Sequence, residues 1–174
     1  MRKVIFGVAN SLDNFIAGPK HEVDWLLWSD DAAVIMKELW STFDTIVWGR
    51  KTYDVARKSG GGGGNYGLKG YVFSRTLRPE DHDDVEIISE DPGAFVKKLK
   101  RRKGKDICVM GGGELAATLL EAGAIDEIGL NIHPILLGSG IPLFHPMKRA
   151  VKLQLLECRT IQHGCVLVRY GVKK

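Results

Sequence analysis

The chain has 174 residues, of which 44% are hydrophobic and 26% charged, a mix that predicts one globular domain over residues 1–174 and excludes intrinsic disorder. The net charge is +4, but acidic residues 80–91 nearly adjoin basic residues 97–105, so nucleic-acid binding is the least favoured class of function. No apolar run approaches the roughly 18–20 residues of a membrane-spanning helix, and we expect a soluble, cytoplasmic protein that binds neither membrane nor nucleic acid.

The first half of the chain alternates between strand and helix patterns. Residues 3–9 form an apolar run that predicts a buried strand, and the polar residues after it predict a long irregular loop over 10–19. This loop either folds over a ligand or is an ordinary connection. Apolar residues spaced by three and four predict an amphipathic helix over 29–43, capped by Ser29 or Asp30. A short buried strand over 45–48 and a short helix over 51–57 follow.

The second half continues the alternation. The glycine-rich residues 60–64 predict a surface loop, and strands are expected over 71–74, 85–89, 106–110 and 125–132. Helices are expected over 92–102 and 114–122, the second opening on three glycines. Residues 151–160 and 165–172 predict a hairpin across 162–164. The whole pattern indicates the α/β class, with a mostly parallel central sheet and a C-terminal antiparallel hairpin.

The cysteines and histidines predict no metal site. Cys108, Cys158 and Cys165 are odd in number, lie in apolar strand-like stretches and show no CxxC spacing, so we expect reduced thiols in the core. The five histidines show no metal-ligand spacing either.

Residue types that bind anions follow three of the predicted strands. The carboxyl ends of parallel strands lie along one edge of a sheet, so these residues would share one rim. Glycines allow close backbone approach, while arginine, lysine and hydroxyl groups bind phosphate oxygens. The rim therefore predicts a site for a ligand with several phosphates, although the three glycines fit neither the GxGxxG nor the P-loop pattern. Its residues are Gly49, Arg50, Lys51, Thr52, Ser74, Arg75, Thr76, Gly111, Gly112, Gly113 and Glu114.

Five segments together resemble the dihydrofolate reductase-like superfamily, and more closely the reductase domain of bacterial riboflavin biosynthesis and its stand-alone relatives. They are SLDNFIAGP (11–19), DTIVWGRKTYD (44–54), VFSRTL (72–77), ICVMGGGELAATLLEAGAIDEI (107–128) and HPILLGSGIPLF (133–144). The resemblance covers residues 4–172. It implies a three-layer α/β/α fold and a homodimer. It also implies an NADPH-dependent reductase that passes a hydride to a heterocyclic or carbonyl carbon, which in the riboflavin branch belongs to a phosphoribosylamino-pyrimidine.

The resemblance also implies a role for each matching residue. Gly49, Arg50, Lys51 and Thr52 would hold the cofactor phosphates, and Ser74 and Arg75 would meet the adenosine 2′-phosphate. Gly111, Gly112, Gly113, Glu114 and Leu115 would lie at the pyrophosphate and nicotinamide. Ala9, Asp13, Ile16 and Ala17 match a flexible segment that closes over nicotinamide and substrate. Asp13 and Asp31 are the candidate catalytic residues.

Two departures from these relatives keep other functions open. Dihydrofolate reductases place an acidic residue on the first long helix, where this chain offers Asp31. The riboflavin branch grips its substrate phosphate with basic residues, but residues 20–43 contain Lys20 and Lys37 and no arginine. The zinc signature of the deaminase domain is also absent from the sequence. Dihydrofolate reductase activity and a non-catalytic NADPH-binding module therefore remain alternatives.

Overall fold

The computed structural model of the protein describes residues 1–58, 60 and 67–173, and strands and helices alternate along them. In chain order they are β1 (Val4–Ser11), β2 (Phe15–Ala17), α1 (Asp30–Ser41), β3 (Phe43–Gly49), α2 (Arg50–Lys58), β4 (Lys69–Phe73), β5 (Glu86–Ile88), α3 (Pro92–Arg101), β6 (Asp106–Val109), α4 (Gly113–Glu121), β7 (Glu127–His133), β8 (Ile141–Pro142), β9 (Leu153–Thr160) and β10 (Val166–Val172). The predicted glycine-rich loop over residues 60–64 lies, except for Gly60, outside the described residues.

Eight strands form one sheet in the order β5-β4-β3-β6-β1-β7-β10-β9. The six strands from β5 to β7 are parallel, whereas β10 and β9 are antiparallel and form the predicted hairpin at the edge. Strands β2 and β8 pair separately as a small antiparallel sheet that the sequence did not predict. The prediction of a mostly parallel α/β fold with a C-terminal hairpin is confirmed.

Helices cover both faces of the large sheet, as the three-layer prediction required. On one face, Phe6 and Val109 of the sheet share a core cluster with Leu99 of α3 and Leu119 of α4. On the other face, Ile5 and its neighbours on the sheet share a cluster with Leu39 of α1 and Tyr53 of α2. Successive side chains of a strand point to opposite faces, which explains why Ile5 and Phe6 belong to different clusters.

The segment after β1 is more regular than the predicted loop over residues 10–19. Strand β1 continues through Asn10 and Ser11 because Ser11 still has a partner, His133, on β7. Residues of β2 then pair with β8, where Phe15 lies opposite Pro142. The irregular loop was therefore a wrong prediction, since the partner strand lies more than 100 residues along the chain and leaves no local signal.

Helix α1 covers its face of the sheet incompletely. Ser29, one of the two predicted caps, is the N-cap, and its hydroxyl oxygen accepts a hydrogen bond from the Ala32 amide at 3.2 Å. Of its residues only Ala32 is fully buried, while Val34 and Met36 are 57% and 41% exposed. On the same face of the sheet, Gly7 of β1 lies opposite Gly129 of β7, and a Cβ added at Gly7 would meet no atom within 4 Å. Strands β1 and β7 therefore carry a strip without side chains at Gly7 and Gly129, bordered by Arg169, whose Cγ would lie 3.9 Å from a Cβ at Gly129.

Two of the three cysteines match the prediction of core thiols. Cys108 and Cys165 are buried, and burial raises the pKa of the Cys108 thiol to about 12. Cys158 is exposed, because it lies on the edge strand β9, whose side chains are covered by no helix in the described part of the chain. None of the helices in the described residues combines the length and apolar character needed to cross a membrane.

Candidate functional site

The three predicted strand ends do form one rim. Strands β4, β3 and β6 are neighbours in the sheet, so their carboxyl ends lie side by side. The Gly49 amide at the end of β3 donates to the carbonyl of Gly111, after β6, at 2.7 Å. The Arg50 guanidinium donates to the hydroxyl of Thr76, after β4. Direct hydrogen bonds thus join the middle strand end to both of its neighbours.

Glycines leave a narrow space between the start of α4 and the start of α2. A Cβ at Gly112 would lie 3.1 Å from the Thr52 hydroxyl oxygen, and a Cβ at Gly49 would lie 3.2 Å from the Gly111 carbonyl oxygen. Gly111 has a φ of 96°, which favours glycine, and the peptide bond between Gly111 and Gly112 is cis. No side chain caps the start of α4, so its first amides can bind an anion.

Gly113 needs to be glycine for a different reason. A Cβ there would lie 2.6 Å from the Leu143 carbonyl oxygen and 3.0 Å from the Pro142 carbonyl oxygen. The segment after β8 crosses the first turn of α4 at this distance. Packing of the chain against itself, rather than ligand access, therefore excludes a side chain at Gly113.

The rim carries more positive than negative charge. Arg50, Lys51 and Arg75 are exposed along it, opposed by Glu114 on the first turn of α4. Lys51 and Glu114 face one another at 3.4 Å, but their side chains are 79% and 65% exposed, so this ion pair is weak and can open for a ligand. The arrangement suits a phosphorylated ligand that displaces the Lys51–Glu114 contact.

The side chains of Ser74 and Leu115, two of the predicted cofactor residues, have structural roles. Ser74 is buried, and its hydroxyl oxygen accepts from the amides of Thr76 at 3.2 Å and Leu77 at 3.1 Å, so it shapes the turn that exposes Arg75. The side chain of Leu115 is buried in the core cluster beside α4, which leaves its backbone as the part that could face a ligand.

Asp13 anchors the backbone of a neighbouring turn. Its carboxylate accepts from the Ser11 hydroxyl at 2.6 Å, the Leu137 amide at 3.1 Å and the Gly138 amide at 2.8 Å. The Ser11 bond, assisted by those from Gly138 and Leu137, holds the pKa of Asp13 below its usual range. With all these donors engaged, Asp13 orders the connection to the β2–β8 sheet, while its catalytic role stays a prediction.

We expect Asp13→Asn to lower the melting temperature at pH 7, because the variant's amide cannot accept from all three donors. A lowered carboxyl pKa stabilises the folded state above the unfolded pKa, and this contribution is lost as pH falls below about 3.8 through the folded pKa. The difference in melting temperature between wild type and variant should therefore shrink below pH 3.8. A difference that is the same at pH 7 and pH 3 would contradict this role for the carboxylate.

The other residues of the predicted closing segment lie near the ends of β1 and β2. Ala9 is half-buried and lies opposite Asn131 of β7. Ile16 packs against the core cluster, and Ala17 is buried and pairs with Ile141. This segment is thus held by strand pairing rather than lying as a free loop.

Buried polar atoms without partners mark a second part of the site, next to α1. Asp31 Oδ2 accepts from the Gln162 amide at 3.0 Å, whereas Asp31 Oδ1 is buried and has no hydrogen-bond partner among the described residues. The same holds for Asn131 Oδ1 and His133 Nε2 on β7. A buried polar atom left unpaired costs about 1–3 kcal/mol, so such atoms point to a bound polar group.

The His133 ring is neutral and has a defined orientation. Its Nδ1 accepts from the Leu27 amide at 3.2 Å, and burial lowers its pKa. The proton of the neutral ring is therefore assigned to Nε2, which offers a buried donor beside the acceptor of Asn131. Neither residue was predicted as part of the site, although Asn131 and Gly129 stand out as non-apolar positions on one face of an apolar strand.

The family comparison covers nearly the whole chain. The family model described as the RibD C-terminal domain matches residues 2–167. The uncharacterized protein YyaP of Bacillus subtilis (strain 168) is 34% identical over 187 residues, covering 97% of this chain and 94% of YyaP. The uncharacterized protein YwjB of the same organism is 34% identical over 155 residues, covering 88% of this chain and 89% of YwjB.

Solved structures share the fold. A putative riboflavin biosynthesis protein from Shewanella sp. PV-4 has a TM-score of 0.85 at 25% identity, and the match covers 99% of both chains. A dihydrofolate reductase from Enterococcus faecalis, complexed with NADP(H), has a TM-score of 0.72 at 14% identity, covering 99% of this chain and 97% of that one. At 14% identity the second likeness shows the fold alone.

Proposed function

Because the chain belongs to the RibD C-terminal domain family, we propose that it is an NADPH-dependent reductase of the riboflavin-biosynthesis type, acting on a small heterocyclic or carbonyl acceptor. The rim of three strand ends, with its glycine-lined space at Gly49 and Gly112, is the observation that carries the proposal. The likeness to the Shewanella riboflavin biosynthesis protein supports the same class of reaction.

The residues of the rim fit NADPH. The space at Gly112, which a Cβ would fill, lets a pyrophosphate reach the first amides of α4, and Lys51 and Thr52 lie across it. The exposed Arg75 would bind the 2′-phosphate, the group that distinguishes NADPH from NADH. When bound, NADPH supplies the hydride. The protein itself needs to bind, orient and exclude water, so few of its side chains need be reactive.

The orphaned polar atoms next to α1 would orient the acceptor. Asp31 Oδ1 and Asn131 Oδ1 accept hydrogen bonds, and His133 Nε2 donates one, so an acceptor with matching ring N–H, amino and carbonyl groups would satisfy all three. Asp31 is also the group that can hold a proton near the acceptor. The open strip at Gly7 and Gly129 leaves room for a planar ring beside these atoms.

We expect NADPH to raise the melting temperature well above the effect of NADH. At about 100 times Kd a ligand adds about 2.7 kcal/mol, which for a chain of this length corresponds to about 5–10 °C. The measurement is thermal unfolding without ligand, with NADH and with NADPH. An unchanged melting temperature with both nucleotides would contradict the proposed function.

NADPH oxidation, followed by absorbance, separates the proposal from its alternatives. Turnover with phosphoribosylamino-pyrimidines or small carbonyls supports the riboflavin-type reductase, and turnover with dihydrofolate alone supports dihydrofolate reductase activity. Tight NADPH binding with no oxidation in any acceptor class would instead indicate a non-catalytic NADPH-binding module.

We also propose that the protein is a homodimer. Strand β9 is the outer edge of the sheet, and its side chains Leu153, Leu155 and Leu156 are 39%, 54% and 49% exposed. An exposed strand edge with apolar side chains favours pairing with another chain. Light scattering at micromolar protein should give the mass of two chains, and the mass of one chain would refute the proposal.

A further inference from the structure

One face of α2 contacts both ends of the segment that follows β4, residues 74–85. Arg50, Tyr53 and Arg57 are spaced by three and four residues, so they share one face of the helix. Arg50 binds the Thr76 hydroxyl, and Tyr53 and Arg57 both contact His82. The segment is thus attached near its start and near its end to the same helix face.

The attachment at the end of the segment is a polar cluster around His82, in which the rings of His82 and Tyr53 are buried whereas Arg57 and Asp84 are exposed. His82 is 8% exposed, and its Nδ1 lies 2.9 Å from Arg57 Nη1 and 3.1 Å from the Tyr53 hydroxyl. Because a guanidinium can only donate, Nδ1 accepts the bond from Arg57. The Tyr53 hydroxyl donates to Asp84 Oδ1 at 2.9 Å. Burial and this bond raise the pKa of Tyr53 to about 12, so the hydroxyl stays protonated as a donor.

Apolar packing connects the contacts of His82 with the exposed turn at Arg75. Leu77 and Val85, at the two ends of the segment, pack against the core cluster that contains Tyr53. Just after β4, the Ser74 hydroxyl oxygen accepts hydrogen bonds from the amides of Thr76 and Leu77. These bonds fix the turn that contains Arg75. Arg75 itself is exposed and is not one of the residues that contact His82.

We propose that the cluster of Tyr53, Arg57, His82 and Asp84 is a positioning device that holds Arg75 ready for a 2′-phosphate and so sets the preference for NADPH over NADH. The inference rests on the proposed function. Binding to an ordered side chain loses less conformational entropy than binding to a loose one. Weakening the cluster should therefore weaken the interaction with the 2′-phosphate, while NADH, which lacks that group, is unaffected.

Two charge-neutral variants test this inference. His82→Phe keeps a ring against Tyr53, whose centroid lies 5.5 Å from that of His82, but removes the acceptor of Arg57. Tyr53→Phe removes the hydroxyl alone. Each should lower NADPH affinity by up to about 10-fold, because a side chain that is no longer held in place must be immobilised when the ligand binds. NADH affinity should stay within about twofold, as measured by calorimetry.

Matched controls separate positioning from general stability. Tyr71→Phe makes the same change on β4, toward the opposite face of the sheet, and should leave both affinities unchanged. His82→Asn places an amide oxygen near the position of Nδ1 and should restore most of the NADPH preference. Equal losses of NADPH and NADH affinity in His82→Phe would overturn the inference, because the cluster would then only support α2.

The same measurements tell this inference apart from the proposed function. A wild-type protein that binds neither nucleotide would overturn the proposed function and the inference together. A wild-type protein that prefers NADPH, with His82→Phe and Tyr53→Phe keeping that preference in full, would overturn the inference alone.

Discussion

Gly112→Val is expected to abolish NADPH binding, with a loss of at least about 100-fold, or about 2.7 kcal/mol. A Cβ at this position already lies 3.1 Å from the Thr52 hydroxyl oxygen, and valine adds two methyl groups in the same space. A phosphate could then no longer approach the amides at the start of α4. Calorimetric titration with NADPH measures the loss directly.

Graded and matched variants make this result specific. Gly112→Ala adds only the Cβ, which requires a small shift of Thr52, so its loss of affinity should be intermediate. Gly171→Val makes the same change on β10, where a Cβ would lie 3.6 Å from Leu156, an ordinary contact. That control should bind NADPH as wild type does. A Gly112→Val protein that is folded and binds NADPH normally would show that the phosphates lie elsewhere.

Arg50→Ala should weaken NADPH binding by about 30-fold, or about 2 kcal/mol. Arg50 is the first residue of α2. Its guanidinium donates to the Thr76 hydroxyl and lies 3.4 Å from the Asp54 carboxylate, so the side chain is already held at the rim. Its loss removes a cation from the phosphate site and the bond between two strand ends. The affinity of wild type and variant is measured in low and high salt, and the difference should shrink in high salt because the side chain is 47% exposed.

The Arg50 experiment needs a control for net charge. Arg102→Ala removes an exposed cation at the end of α3, near the amino-terminal edge of the sheet, and should leave NADPH affinity unchanged. Arg50→Lys keeps the charge but loses the planar donor pattern, so its affinity should lie between those of wild type and Arg50→Ala. Equal losses in Arg50→Ala and Arg102→Ala would indicate a general charge effect instead of a contact.

The rim of three strand ends was predictable because its signals are local. A short apolar run followed by Gly49 and a helix start indicates a buried strand with a glycine turn, and the same holds at Gly111. Strands connected by helices are parallel, so their carboxyl ends, and the residues that follow them, fall on one edge. Only the general rule for parallel sheets was needed to place these residues together.

The surroundings of Asp31 and His133 could not be predicted in the same way, because they depend on contacts between distant residues. Asp31 is held by Gln162, and His133 by Leu27, and nothing in the local sequence of either residue specifies its partner. The cluster around the buried His82 is of the same kind, since this histidine lies in a polar segment that resembles an ordinary surface connection. In all three places, the arrangement of Asp31, His133 and His82 depends on contacts between residues that are distant in the sequence.

The incomplete burial of α1 has a related cause. Its apolar spacing predicts an amphipathic helix, which the structure confirms over Asp30–Ser41, but Met36 of the apolar set is 41% exposed. Spacing shows which side chains share a face of a helix, and whether another element lies against that face depends on the rest of the fold. Here the neighbouring strip at Gly7 and Gly129 carries no side chains to fill the space.

The close contact at Gly113 bears on how the sequences of related proteins diverge. Because the carbonyl oxygens of Leu143 and Pro142 exclude a side chain there, a relative that binds no nucleotide would still need this glycine. Gly112 has only the Thr52 hydroxyl as its close neighbour, so under the proposed function the demand for glycine there comes from the phosphate. The proposal thus predicts that relatives without a nucleotide would vary at the second glycine of the three and keep the third.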